Sequence, residues 1–464
     1  MIRSGTSKSA ALVSKMALGA ALAFGMAAGA GVTSGTAVAA EKAAKAPKLA
    51  FSKGMTAVAG PAQKVLDAAK TAPDIVAAKA QIEAAQRANN KQQLASANAA
   101  MAAAIADEKA ELEKVFAAIE KPDDRFLAGN MAVNLGSVAL DPSLQRRGIK
   151  AMLESGLGNP ADQPRFNSIA GQLAYQAGDY PEAAQYLQRA IDAGYKEDNS
   201  EVLLAEALIG SNQGAQGTAV LKRAIQNAKA GGTAAPEAWY RRGMASSFKA
   251  GQINDTAEFG AMLITDHPNA KNVGLAATII RELAKLNPQE TLDLMRLMGR
   301  SNSYAEPRDY IEYIEAADPR RFPGEVTDVI NAGISAGALK ANDTFVADAK
   351  SQAAGRIAAD RGSLSGYEAD ARKASATAAT VTGAADALLS YGQAAKAEEL
   401  YTLALVKPGA DAALVNTRLG IAQFDQGKYA AAQQSFGKVT GNRASIAKLW
   451  AAYAASKAGG APTS

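Results

Sequence analysis

The chain has 464 residues, with 50 Lys and Arg against 45 Asp and Glu, one histidine and no cysteine. The missing cysteine excludes disulfides, thiolate nucleophiles and Cys-based metal sites. The lone His267 excludes a histidine-cluster metal site, and any triad or acid–base pair would have to be built on it alone.

The first 40 residues carry Arg3, Lys8 and Lys15 and no acidic residue, then an apolar stretch from about Met16 to Val32, then Thr36-Ala37-Val38-Ala39-Ala40. A basic start, a short apolar run and a small-residue site make a cleaved export signal, expected over 1–40. Without it the chain keeps 47 basic and 45 acidic residues, so the overall basicity is no nucleic-acid footprint, which would cluster charge on one face. No other stretch approaches the length of a membrane span. Residues 41–60, with Lys42, Lys45, Lys48 and Lys53, are expected to form a flexible basic arm.

Residues 61–122 are Ala-rich and read as a helical hairpin, breaking near Thr71-Ala72-Pro73 and Asn89-Asn90 and ending at Lys121-Pro122. Alanine allows close helix contact but buries little area per residue, so this segment should be less stable than the rest. From about Asp123 a repeat appears. Gly136, Gly171 and Ala205 are spaced by 35 and 34 residues; seven residues on lie Ser143, Gly178 and Asn212, at expected turns. Small Gly148, Ala183 and Gly217 follow, then large Met152, Leu187 and Leu221. A small residue at a helix crossing lets two backbones approach, a large one fills the groove beside it, and Gly or Asn makes the left-handed turn. The pattern returns with Ala385, Gly392, Ala397, Tyr401 and Ala404, and with Leu419-Gly420, Gly427, Tyr429, Ala432 and Phe436.

This pattern resembles the tetratricopeptide repeat. Ala170-Gly171, Gly178-Asp179-Tyr180, Ala183, Leu187 and Ala190 match its signature, whereas Asn167 and Ala174 replace the signature Trp and Tyr. Trp239 with Gly243, closing at Pro268, matches a further repeat whose turn Gly251 is one residue late. The resemblance covers about 200 residues. It implies an all-α fold, a right-handed superhelical array of antiparallel helix pairs (an α-solenoid), with repeats over 123–268 and 376–458. The final helix, with Leu449, Trp450 and Tyr453, should cap the open end of the last repeat. Between them, 269–375 keeps helix signals without the period, broken at Asp318-Pro319, Phe322-Pro323-Gly324 and Arg361-Gly362-Ser363. Within it Asn287-Pro288-Gln289-Glu290 has the form of a capping box with Pro in the first turn. Residues 459–464 are expected to form a disordered tail.

No chemistry-bearing motif stands out. There is no phosphate-cradling Gly loop in a strand–helix context and no Gly-x-Ser-x-Gly elbow. His267 sits in a helix-ending string that suits an interaction with the helix dipole. Asp309, Glu312, Glu315 and Asp318 recur along one helix and read as a solvated face. No catalytic residue, metal or cofactor is therefore expected.

Two candidate contact surfaces remain. The tetratricopeptide resemblance implies that first helices line a concave groove, which places Ser168, Gln172, Tyr175, Val202, Glu206, Tyr240, Thr417, Ile421 and Phe424 along it. Trp239-Tyr240-Arg241-Arg242 offers an anchor there, with Trp239 itself assigned to the core. This groove lacks the Lys/Asn clamp for a terminal carboxylate. The second surface is Tyr304 to Phe322, where Tyr304, Arg308, Tyr310, Tyr313, Arg320, Arg321 and Phe322 crowd into an aromatic-poor chain; Tyr and Arg are the types enriched at interface hot spots. The same string also fits tyrosines packed between helices with solvated arginines. The function expected is a non-catalytic, exported adaptor that binds a protein or peptide partner of the cell envelope, without nucleic acid and without membrane contact beyond the signal segment. The alternative is a factor or enzyme acting on envelope polysaccharide or peptidoglycan.

Overall fold

The computed structural model describes residues 49–459 apart from Lys196 and Asp198. The segment expected to be an export signal, 1–40, and the tail expected over 459–464, apart from Gly459, lie outside these residues. Leu49–Ser464 forms one compact unit. Among the described residues there are 22 α-helices and no strand. They are α1 (Lys53–Ala69), α2 (Pro73–Arg87), α3 (Lys91–Ala104), α4 (Ala106–Ala117), α5 (Pro122–Val138), α6 (Pro142–Glu154), α7 (Gln163–Gln176), α8 (Tyr180–Asp192), α9 (Ser200–Gly210), α10 (Gly214–Ala230) and α11 (Glu237–Lys249). There follow α12 (Ile253–Asp266), α13 (Ala270–Leu283), α14 (Pro288–Arg300), α15 (Pro307–Ala317), α16 (Pro323–Ser335), α17 (Thr344–Ala371), α18 (Ala378–Ser390), α19 (Ala394–Leu405), α20 (Ala412–Asp425), α21 (Tyr429–Gly437) and α22 (Ala444–Ala458).

The starts of these helices follow from capping chemistry. Asn90, Asp141, Asp179, Asp343 and Thr377 each accept a backbone N–H of the first turn. Asn287 and Glu290 complete a reciprocal capping box on α14, with Pro288 in the first turn. The first helix begins earlier than the flexible arm expected over 41–60 allows. Ser52 caps it, Met55 is fully buried, and the buried Asp124 carboxylate accepts the Ser52 N–H at 2.9 Å and the Glu120 N–H at 3.1 Å. Asp124 thereby pins the start of α1 to the start of α5.

Consecutive helices pack in antiparallel pairs whose seam is set by one spacing. A Cβ built on Gly171 would lie 2.5 Å from Leu187 Cγ, and one on Gly420 2.5 Å from the Phe436 ring; Gly243 faces Phe259 in the same way. In each pair the large residue follows the glycine by 16 positions, and Ala205/Leu221 and Ala385/Tyr401 repeat that spacing with both members buried. The turns lie at Gly178, Asn212, Gly251, Gly392 and Gly427, all with positive φ. The pair α5/α6 departs from this scheme. Its close approach is Gly129 to Gly148, Gly136 faces Gln145 rather than Met152, and the left-handed turn residue is Leu140, not Ser143. Asp141 caps α6 and so places Ser143 inside the helix.

Second helices are tied together on their outer side. Arg146 on α6 binds Asp179 and Glu182 at the start of α8, and Lys222 on α10 reaches Asp255 at 2.7 Å and Glu258 at 2.6 Å on α12. Both cations meet acids 33 and 36 residues further on.

Two expectations for the second half change. Helix α17 runs unbroken for 28 residues through Arg361-Gly362-Ser363, because Leu364 and Ala371 beyond that point are buried and hold the helix in register. The C-terminal helix covers the core of the last repeat, with Trp450 on Phe424 and Phe436, and does more than cap it. Helix α22 packs on α12 and α21 and touches α13, α14 and α20, so the run from α12 to α22 closes on itself. Trp450 is fully buried, stacks on Phe436, lies edge-on to Phe424 and donates its Nε1–H to the Asp293 carbonyl at 2.9 Å.

An ionic cluster sits inside this closure. Arg296 forks onto Glu325 at 2.8 and 2.7 Å. The Asp293 carboxylate accepts from Arg296, Arg418 and Arg443, while Arg418 also reaches Asp386 and Gln289. Three arginines thus face the three carboxylates of Asp293, Glu325 and Asp386, all buried. Burial alone would raise the Glu325 pKa, but the Arg296 guanidinium outweighs it and holds the group down to about 2.

Candidate binding face of the first helices

Three residues before each helix crossing, Ser168, Val202, Tyr240 and Thr417 are buried rather than groove-facing. Ser168 meets the next pair, and Tyr240 meets the end of the second helix of its own pair. Ser168 Oγ lies 3.0 Å from Ser200 Oγ, and Tyr240 donates to Asp266 at 2.8 Å and meets His267 edge-on. His267 ends α12 with its Nε2 2.7 Å from the Ala235 carbonyl, a structural role. Trp239 and Tyr240 exchange their expected places, since Tyr240 is core and Trp239 is half-buried.

One residue after each crossing the array divides. Gln172 on α7 and Glu206 on α9 are half-exposed, whereas Met244 on α11 and Ile421 on α20 are buried. Met244 packs toward Gly260 of α12, where an added Cβ would lie 3.7 Å from it and 3.2 Å from Leu449 of α22. Phe424 is covered likewise by Trp450 and by the stacked ring of Tyr453 at 5.2 Å.

On the open part, three first helices each contribute one polar group. Tyr175 of α7 donates its hydroxyl to the Glu206 carboxylate of α9 and packs edge-on against Tyr180 at 5.5 Å. Burial pushes the Tyr175 hydroxyl well above its ordinary range and Glu206 adds to this, while the Arg242 guanidinium of α11 pulls the other way. Gln172 donates to Ser168 Oγ at 3.2 Å. Arg242 is half-buried, and its Nε has no hydrogen-bond partner. The neighbouring Arg241 is satisfied by Glu237 and Asn272. Phenol and carboxylate thus share one face, joined by a hydrogen bond.

The second candidate surface is not one. Tyr310 and Tyr313 are buried, with Tyr310 packed on Tyr304 at 4.6 Å and Tyr313 donating to Glu325. Arg320 is exposed and folds back onto Asp318 at 3.1 Å, and Arg321 lies over the Phe322 ring and reaches Asp386 at 3.4 Å. The acidic string on α15 is not a solvated face either. Asp309 and Glu312 both bind Arg281, and Asp309 caps the start of its helix. A depression of about 510 Å³ beside α6, α7 and α8 carries Arg146, Arg147 and Lys150, but each already binds a carboxylate. Among the described residues no cluster of His, Asp or Glu is arranged to hold a metal ion, and no helix is long and apolar enough to cross a membrane.

No family model matches the chain, and no curated protein matches it. Solved structures similar to it include the human IFIT1 dimer with m7Gppp-AAAA, 14% identical over 84% of this chain and 88% of that one, with a TM-score of 0.22. The human IFIT1 dimer with PPP-AAAA is 13% identical over 77% and 95%, with a TM-score of 0.21. The APC/C hetero-tetramer Cut9–Hcn1 is 11% identical over 78% and 85%, with a TM-score of 0.16. These likenesses are distant, and the all-α, tetratricopeptide-like helix-pair architecture is read from this chain's own seams and turns.

Proposed function

We propose that the protein is a non-catalytic, exported scaffold of the cell envelope that docks a protein or peptide partner on the half-exposed face of α7 and α9. One observation carries this reading. Gln172 on α7 and Glu206 on α9 are half-exposed at the position where Met244 on α11 and Ile421 on α20 are buried, and Tyr175 donates to Glu206 between the two helices. The open part is preformed, so a partner docks with little backbone change. The basic, apolar and small-residue succession in residues 1–40 supports export, and the near-balance of charge beyond it speaks against a nucleic-acid partner.

The test is a photo-cross-linking amino acid placed at Gln172, and as a control at the exposed Gln188 on α8, in the full-length protein in living cells. The proposal expects an envelope protein cross-linked from position 172 but not from 188, and weakened by Tyr175→Ala. Equal labelling from both positions, or labelling indifferent to Tyr175→Ala, would contradict it.

A further inference from the structure

Four tyrosines among the described residues donate to a carboxylate on another helix: Tyr240 to Asp266, Tyr313 to Glu325, Tyr401 to Asp386 and Tyr175 to Glu206. In the first three the same carboxylate also binds a cation of this chain. Asp266 takes Lys229 at 2.7 Å, Glu325 takes Arg296 at 2.7 Å, and Asp386 takes Arg418 at 2.5 Å. Glu206 breaks the pattern: Tyr175 donates to its Oε2, and no lysine or arginine among the described residues forms an ion pair with it. The pair is fixed by packing. Tyr175 meets Tyr180 edge-on at 5.5 Å, and a Cβ added to Gly210 would lie 2.7 Å from the Tyr180 ring. Glu206 and Gly210 are four residues apart on α9, so one face of that helix takes both rings.

We propose that Glu206 takes the cationic head of a lysine or arginine side chain in a docked peptide segment, completing from outside the arrangement that the chain completes with its own cations elsewhere. This rests on the binding face proposed above and names its chemistry. A carboxylate drawn partly out of water is satisfied by a positive charge as well as by hydrogen bonds, and the Tyr175 phenol supplies a hydrogen bond but no charge. Glu206 is half-exposed, so the remaining partner reaches it from solvent. An acidic side chain at the same point meets a like charge and is rejected. The Tyr175 and Tyr180 rings beside the carboxylate suit the aliphatic stem of a lysine or arginine and attract its head. Arg242 of α11, whose charge acts on Tyr175, is the rival within the chain.

A random-peptide library displayed on phage tests this, selected in parallel on the full-length protein and on its E206Q and Y175A variants. E206Q removes the charge and keeps an oxygen to accept the Tyr175 hydroxyl. The wild type should enrich peptides with Lys or Arg at one fixed position. A synthetic peptide from that pool should lose on the order of tenfold in affinity for E206Q, the loss of a charge-assisted bond. Replacing its basic residue by Met should cost as much, and nothing further on E206Q. The urea midpoints of E206Q and R242M should stay close to that of the wild type. If both fall markedly and the double variant falls no further, Arg242 is the partner of Glu206 and the inference is overturned. Enrichment without a basic position, or equal binding by E206Q, also overturns it. If Y175A still weakens those peptides, the binding face itself stands; if Y175A binds them equally, or no peptide is selected, the face falls as well.

Discussion

Asp293 and Arg418 stand 125 residues apart in the chain, yet both are fully buried and joined by a hydrogen bond of 3.1 Å from the arginine Nε. Arg296 and Arg443 converge on the same carboxylate, so one side chain on α14 links α14 itself, α20 and the start of α22. Removing it leaves buried guanidinium groups with too few acceptors. Asp293→Ala should therefore destabilise the fold by about 3–5 kcal/mol, the usual consequence of deleting one partner of a buried ion pair. Equilibrium urea unfolding measures this, and a loss below about 1 kcal/mol would mean that the cluster does not hold the closure.

Glu325 gives the closure a dependence on pH. Its carboxyl is held down to about 2 from an ordinary 4.5, despite burial, by Arg296. A group depressed in the folded state contributes its stability above its unfolded pKa and loses it as pH falls through the folded one. Stability should thus be flat above about pH 5 and should decline between roughly 4.5 and 2, by about 3 kcal/mol at about 1.4 kcal/mol per unit. Glu325→Gln should be less stable at pH 7 and should lose less than the wild type across that window, as read by thermal unfolding.

The seam between paired helices predicts opposite signs for two glycine substitutions. Gly420→Ala drives a methyl to 2.5 Å from the Phe436 ring and should cost about 1–3 kcal/mol. Gly355 lies in α17 with nothing within 4 Å of an added Cβ, and Gly355→Ala should stabilise by about 0.5–1 kcal/mol through backbone entropy and helix propensity. Calorimetry on the two variants compares them directly.

Much of the fold was legible because it rests on local chemistry. Turn glycines at 178, 392 and 427 need positive φ, and pairs such as Gly171/Leu187 and Gly420/Phe436 are close enough in sequence to show as a repeat. The closure was not, because Asp293, Arg418 and Arg443 read locally as ordinary surface charges. A signal was present nonetheless. Helix α14 carries Leu292, Leu294, Met295, Leu297 and Met298 around its whole circumference, and α20 is buried continuously from Val415 to Phe424. Large apolar residues on several sides of one helix, interleaved with Asp293 and Arg296, need more than one packing neighbour. Thr417 and Ile421 lie buried in α20, and Phe424 is covered by Trp450 and Tyr453 of α22. Tyr240, Tyr310 and Tyr313 were misplaced for a simpler reason: a tyrosine whose hydroxyl finds Asp266 or Glu325 is content in the core. Of the candidates for the binding face, the structure brings Tyr175 and Glu206 together and leaves Gln172 half-exposed beside them.

Mutating Trp450 probes the packing of α22. Trp450→Ala removes a fully buried ring that meets Phe424 and Phe436 and should cost about 3–5 kcal/mol. Near-ultraviolet circular dichroism should lose the signal of the packed indole while far-ultraviolet helicity stays close to that of the wild type.

The chain's last helix closes the run from α12 onto itself by packing on both α12 and α21. Native-state hydrogen exchange on the full-length protein tests this closure most directly. The amides of α22 should exchange as slowly as those of α12 and α14, through the same cooperative opening. Rapid exchange of α22 with α12 and α14 still protected would contradict the closure.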